Sequence, residues 1–340
     1  MSRMREEALE CAAVAARSLA QVLPLAMAEG AHWARSEVWH VEVLGRGSSS
    51  HAGTLLRYAL AQRCGLSVSA ALPLLAAQGR TYRPVPGSVL VAISQSGGSP
   101  DLLRYAQACV GAGMRTVGLI NAAGSPLASS CTVEVPLGAG SEQAVAATKS
   151  TLAAGLAGLG LAAGYLAQVG DATLLEALYT LPDRLQQAQA CDWSAWAEQI
   201  PQARAVFVLA RGATLGVAKE FALKIAETTG VPAAAYSSAE FLHGPIGSVS
   251  AQTPVIGLCS DEATCASVLQ ALDRAAQHGA PTLLAASRIA DGLPLPPAVE
   301  PFTDALAMLL PGYLAIEAAA TAMGRNPDAP FGLAKVTRTQ

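Results

Sequence analysis

Val89-Leu90-Val91-Ala92-Ile93 runs without a polar residue into Ser94-Gln95-Ser96-Gly97-Gly98-Ser99-Pro100-Asp101, and a helical pattern follows. An apolar run without alternation reads as a strand buried on both faces, as in a parallel sheet covered by helices. Outward from it, similar runs stand at Val41-Glu42-Val43-Leu44 and Thr116-Val117-Gly118-Leu119-Ile120. The order returns as Val206-Phe207-Val208-Leu209, Pro254-Val255-Ile256-Gly257-Leu258 and Thr282-Leu283-Leu284. A shift of 165 residues places Val43-Leu44-Gly45-Arg46-Gly47 on Val208-Leu209-Ala210-Arg211-Gly212, Gly65 on Gly230, and Val91-Ala92-Ile93 on Ile256-Gly257-Leu258. The chain therefore reads as α/β: two duplicated domains, each a flavodoxin-like parallel sheet flanked by helices.

The expected organisation is an N-terminal helix within 1–30, amphipathic over 6–30, and a first domain over 31–170. A helical, proline-punctuated linker over 171–203, a second domain over 204–325 and a C-terminal arm over 326–340 complete it. The 340 residues are 52% hydrophobic and 14% charged, enough apolar material for two cores and a poor match to disorder. The net charge of −3 gives no basic footprint for nucleic acid or acidic lipid. Seven scattered cysteines without metal-ligand spacing read as reduced thiols of a cytoplasmic protein, and the charged N-terminus does not read as a signal peptide. Residues 151–170 carry no charge and are long enough to span a bilayer. Their Ala, Gly and Leu content, with Gln168 inside, reads instead as a buried or interface helix.

Ligands of open parallel sheets sit beyond the carboxyl ends of the strands. After Ile93, glycines permit a tight turn, Pro100 suits a first helical turn, and the helix start offers N–H groups and a positive dipole end. The hydroxyls of Ser94, Ser96 and Ser99 complete an uncharged cradle for an anion such as phosphate. Gly45-Arg46-Gly47-Ser48-Ser49-Ser50-His51 opens a second helix in the same way. Either loop alone also matches a merely capped turn, but two in one domain favour a binding site. In the second half, the position of the cradle is held by Cys259-Ser260-Asp261-Glu262, which is acidic and repels phosphate. That half offers other chemistry: Lys224 and Glu227 lie one turn apart on one helical face, and His243 precedes Gly244-Pro245 in a polar loop. A carboxylate and an imidazole are the pair that sugar isomerisation uses, one to carry a proton between adjacent carbons and one to open the ring.

These loops resemble the sugar isomerase (SIS) family, in particular the isomerase half of glucosamine-6-phosphate synthase and stand-alone glucosamine-6-phosphate deaminases. The resemblance rests on 47–53, Ser94-Gln95-Ser96-Gly97, Val145-Ala146-Ala147-Thr148-Lys149, Ala222-Leu223-Lys224-Ile225-Ala226-Glu227, 240–245 and Leu333-Ala334-Lys335-Val336-Thr337. It implies phosphate binding by Ser49, Ser94, Gln95, Ser96 and Ser99, and a sugar-lining position for Val145. It implies Glu227 as the base between C1 and C2, with Lys224 as its supporting cation. His243 is implied as the ring-opening residue, acting across a homodimer interface in the synthase, and Lys335 as the tail lysine that contacts or condenses with the open-chain sugar. Gly98 stands where the synthase has Glu, which puts its substrate contacts in question, and Ser99 stands where it has Thr.

Met1 is followed by Ser2, and no glutaminase domain is present, so release of ammonia is the expected direction. The leading reaction is glucosamine 6-phosphate plus water to fructose 6-phosphate and ammonia, with no metal or organic cofactor needed. Alternatives are a deglycase for fructosyl-amino-acid 6-phosphates, a galactosamine-6-phosphate deaminase/isomerase, and a non-catalytic phosphosugar sensor. The expected partners are a phosphorylated sugar and a second copy of the chain, with neither nucleic acid nor membrane.

Overall fold

A computed structural model describes residues 1–74, 83–289, 291–333 and 335. Two compact units do not follow chain order: one holds Ala13–Glu142, Lys149–Tyr179 and Ala334–Gln340, the other Met1–Ala12, Gln143–Thr148 and Thr180–Leu333. They are called the first and second unit.

The expected single helix over 6–30 is three helices: α1 (Arg3–Leu9), α2 (Cys11–Gln21) and α3 (Leu23–Arg35). Pro24 lies in the first turn of α3, where its missing N–H costs nothing; one turn later in an unbroken helix it would break a hydrogen bond. α2 and α3 meet at 54°.

In the first unit β1 (His40–Leu44), β2 (Ser67–Ala70), β3 (Ser88–Ser94), β4 (Arg115–Ile120) and β5 (Val133–Pro136) form one parallel sheet in the order β2-β1-β3-β4-β5. Each of the three apolar runs read from the sequence is a central strand. The short edge strands β2 and β5 are half exposed and so lack the unbroken apolar signal. On one face, α4 (Ser48–Cys64) and α3 pack against α7 (Lys149–Ala167), the helix read from 151–170. Gly30 and Gly164 bring α3 and α7 together backbone to backbone: a Cβ on Gly30 would lie 1.9 Å from the Leu161 carbonyl oxygen, and one on Gly164 2.1 Å from that of Met27. Small residues thus serve close helix packing. α7 is long and apolar enough to cross a membrane, yet 89% of that window is buried within the protein. α5 (Pro100–Gly111) and α6 (Pro126–Ser130), which precede α7 in the chain, belong to a second core with Leu44, Leu90, Leu102, Ile120 and Leu127. Buried Glu42 on β1 is satisfied there by the Tyr105 hydroxyl at 2.8 Å.

After α8 (Thr173–Ala188) and the one-turn α9 (Ser194–Ala197), the second unit repeats the plan. β6 (Val206–Ala210), α10 (Leu215–Thr229), β7 (Ala233–Ser237), α11 (Ser238–Leu242), β8 (Val255–Cys259), α12 (Glu262–Gln277) and β9 (Thr282–Ala286) give a parallel sheet ordered β7-β6-β8-β9. The 165-residue register holds in three dimensions. α4 and α10 both end on left-handed glycines, Gly65 (φ 68°) and Gly230 (φ 74°). α13 (Pro301–Ala322) packs on α10, where Gly312 admits the Phe221 ring. α13 is also long and apolar enough to span a membrane, and 83% of its window is buried.

Candidate functional site

The first unit places both serine loops at the carboxyl ends of neighbouring strands, since Leu44 of β1 pairs with Ala92 of β3. An ion pair between Arg46 and Asp101 joins the 45–51 loop to the first turn of α5. Within the 94–99 loop, Gly97 N–H donates to the Ser94 hydroxyl oxygen at 3.0 Å and Gly98 N–H to that of Ser96 at 3.3 Å. Both hydroxyls therefore keep their own hydrogens for an incoming acceptor. Gly97 has φ 58°, and a Cβ there would meet the Ser125 hydroxyl at 1.9 Å, so the turn admits only glycine. Ser99 is the N-cap of α5 but makes no side-chain cap bond. Among the described residues, neither the Ser99 nor the Ser49 hydroxyl has a hydrogen-bond partner.

The repeat in the second unit fills these same positions. Asp261 caps α12 by accepting from Ala263 N–H at 3.0 Å. Thr214, at the place of Ser49, spends its hydroxyl on the Leu258 carbonyl at 3.0 Å. Thus one copy of the scaffold closes its helix start with a carboxylate, and the other starts its helix without a side-chain cap.

Lys335 also belongs to the first unit. Its ammonium lies 3.3 Å from Glu142, whose side chain is fully buried. Glu142 also takes the Ser150 N–H at 3.1 Å and its hydroxyl at 2.6 Å, fixing the start of α7. Sequence reasoning missed Glu142. The available signal was its isolation, as the sole acid between Glu134 and Asp171.

In the second unit, Glu227 and Lys224 meet on α10, with Lys224 Nζ donating to Glu227 Oε2 at 2.5 Å. Lys224 also lies 3.6 Å from Glu220, and both side chains are only 1% exposed. The Tyr313 hydroxyl donates to Glu220 at 3.2 Å. Buried charges demand such pairing, and here it leaves one acid buried and the other, Glu227, 22% exposed. Glu227 lines a cavity of about 530 Å³ together with Thr228, Gly230, Arg325, Asn326 and Phe331. The Arg325 guanidinium has no ion-pair or hydrogen-bond partner among the described residues. Tyr313 and Arg325 were not singled out from sequence.

His243 is not among the residues lining that cavity. It ends α11, its N–H donates to the Glu240 carbonyl at 3.0 Å, and its ring is exposed. Val145, half-buried in the irregular 143–148 segment of the second unit, donates its N–H to the Asp328 carbonyl at 3.0 Å.

The SIS domain family model matches residues 36–163 and 199–288. A glutamine–fructose-6-phosphate aminotransferase (isomerizing) of Shewanella oneidensis is 32% identical over 247 residues, 69% of this chain and 40% of that protein. Its Caulobacter vibrioides counterpart is 28% identical over 316 residues, 87% of this chain and 51% of that protein. The chain thus spans about half or less of these relatives. A Silicibacter pomeroyi protein described as a phosphosugar isomerase has a TM-score of 0.89 at 33% identity, covering 96% of this chain and 100% of its own. A glucosamine-6-phosphate deaminase of Thermotoga maritima shares the fold, with a TM-score of 0.80 at 19% identity over 99% of this chain and 100% of its own.

Proposed function

The chain belongs to the SIS domain family, and on that premise we propose that it is an enzyme converting glucosamine 6-phosphate and water to fructose 6-phosphate and ammonia. The observation that carries the reading is the contrast between the duplicated loops. Asp261 caps α12, whereas Ser99 leaves the start of α5 without a side-chain cap, beside the hydroxyls of Ser94 and Ser96. That contrast supports an anion at the 94–99 loop, held by Ser49, Ser94, Gln95, Ser96 and Ser99 through hydrogen bonds and the helix dipole.

With the phosphate held, His243 assists ring opening to the aldehyde. Glu227 takes the proton from C2 and returns one to C1, giving a C1 alcohol and a C2 imine. Water adds at C2, ammonia leaves, and the ketone of fructose 6-phosphate remains. Lys224, anchored by Glu220, sets the position of Glu227 and offsets its charge. Lys335 holds the C1 oxygen, and its ion pair with Glu142 must open before the amine itself can condense with a carbonyl. Val145 lines the sugar. The exposed His243 ring, outside the cavity of Glu227, fits a residue that serves the site of a second copy in a homodimer.

One observation favours a second reading. Arg325, a cation without a partner among the described residues, lines the cavity of Glu227 and suits a substrate whose amine carries a carboxylate, as in fructosyl-amino-acid 6-phosphates. Parallel assays of ammonia, free amino acid and hexose 6-phosphate on glucosamine, galactosamine and fructosyl-amino-acid 6-phosphates separate the readings. Ammonia from glucosamine 6-phosphate supports the first, and free amino acid from the third substrate supports the second. No turnover of any, with tight phosphosugar binding, leaves a sensor and refutes the enzyme reading.

A further inference from the structure

The segment that carries Val145 has no helix or ladder of its own, so its peptide groups need partners from elsewhere. They find them in the two chain ends. Glu7 of α1, itself buried, accepts the N–H of Gln143 at 2.5 Å on one carboxylate oxygen and that of Ala144 at 3.2 Å on the other. The next N–H, of Val145, goes to the carbonyl of Asp328 at 3.0 Å. The Asp328 carboxylate in turn accepts the N–H groups of Arg3 and Met4, at 3.0 and 2.8 Å, where α1 begins. Three consecutive peptides are thus oriented by one buried carboxylate and one tail residue, and that residue is fastened to the same helix. All of these groups lie within the second unit.

From this closed set of bonds we infer that Glu7 and Asp328 are positioning residues for sugar recognition, acting through the 143–148 segment. Charge-assisted bonds to two successive N–H groups fix the peptide planes and so the direction of the segment's carbonyls and of Val145, which lines the sugar in the function proposed above. Asp328 stands seven residues before Lys335, so the same fastening also sets the root of the tail. The inference rests on the phosphosugar reading above. It separates sugar recognition, which depends on Glu7, from phosphate binding, which depends on the 94–99 loop.

The test is calorimetric titration of fructose 6-phosphate and of inorganic phosphate into wild type and Glu7→Gln. An amide accepts one of the two N–H groups and turns its own donor toward the other. The expected result is about a tenfold loss in affinity for fructose 6-phosphate, with phosphate affinity unchanged and cooperative melting retained. An unchanged ratio of the two affinities overturns the inference alone. Wild type that binds fructose 6-phosphate no better than phosphate overturns the phosphosugar reading, and the inference with it. If Glu7→Gln does not melt cooperatively, Asp328→Asn decides by the same ratio, since it loosens the fastening to α1 while keeping the backbone bond to Val145.

Discussion

Lys224 Nζ and Glu227 Oε2 lie 2.5 Å apart, and the lysine that makes this contact is itself buried against Glu220. One cation therefore compensates two acids, of which only Glu227 reaches the cavity. Lys224→Met removes the shared cation and breaks its ion pair with the buried Glu220. The expected destabilisation is about 3 kcal/mol in denaturant unfolding, a size typical of breaking a buried pair, together with loss of turnover.

Replacing Glu220 and Lys224 together, by Gln and Met, removes the buried charge pair while leaving Glu227 in place. Because the buried acid is removed together with its cation, the double variant is expected to be more stable than Lys224→Met, by about 2 kcal/mol. Denaturant titration of the two proteins checks it.

Gly97→Ala strikes the 94–99 loop at its tightest point. The backbone is left-handed there, and the new Cβ would collide with Ser125. Expected are about 2 kcal/mol of lost stability and at least tenfold weaker binding of inorganic phosphate, measured by melting and titration. Gly244→Ala, where a Cβ meets nothing within 4 Å, is the matched control with phosphate binding intact.

Acid sensitivity of the first unit is expected at Glu29. Burial pushes its carboxyl up, but hydrogen bonds from Arg115 and Trp33 and the charge of Arg115 outweigh that and hold it below its ordinary value of 4.5. Arg115 grips both carboxylate oxygens, at 2.6 and 2.7 Å, and the Trp33 indole adds a third bond at 2.7 Å. A depressed folded value means the stabilisation is complete above the unfolded carboxylate value and is lost as pH falls through the folded one. The thermal midpoint of wild type should therefore drop more steeply than that of Glu29→Gln between about pH 5 and about pH 3.

The centre of each sheet was legible from sequence because strands buried on both faces need unbroken apolar runs, as in 89–93 and 206–209. The edges β2, β5 and β7 were not, since half-exposed strands such as Ser67–Ala70 carry no such pattern. The N-terminal helix was misread as continuous although Pro24 marked the break. The 94–99 loop was legible because serines and glycines directly follow a buried strand. The residues that hold the site in place were not, because their partners are remote: Tyr313 and Glu220 are 93 positions apart, and Lys335 and Glu142 are 193 apart. Local pattern carries no trace of such pairs. The Ala, Gly and Leu content of 151–170 did read as a buried or interface helix, and α3 lies against α7 at Gly30 and Gly164.

The most direct test of the central claim measures ammonia and fructose 6-phosphate released from millimolar glucosamine 6-phosphate by wild type and by Glu227→Gln. Equal amounts of both products from wild type are expected. Glu227→Gln should turn over about a thousandfold more slowly while binding fructose 6-phosphate as wild type does. No ammonia from wild type, or full turnover by Glu227→Gln, would contradict the account.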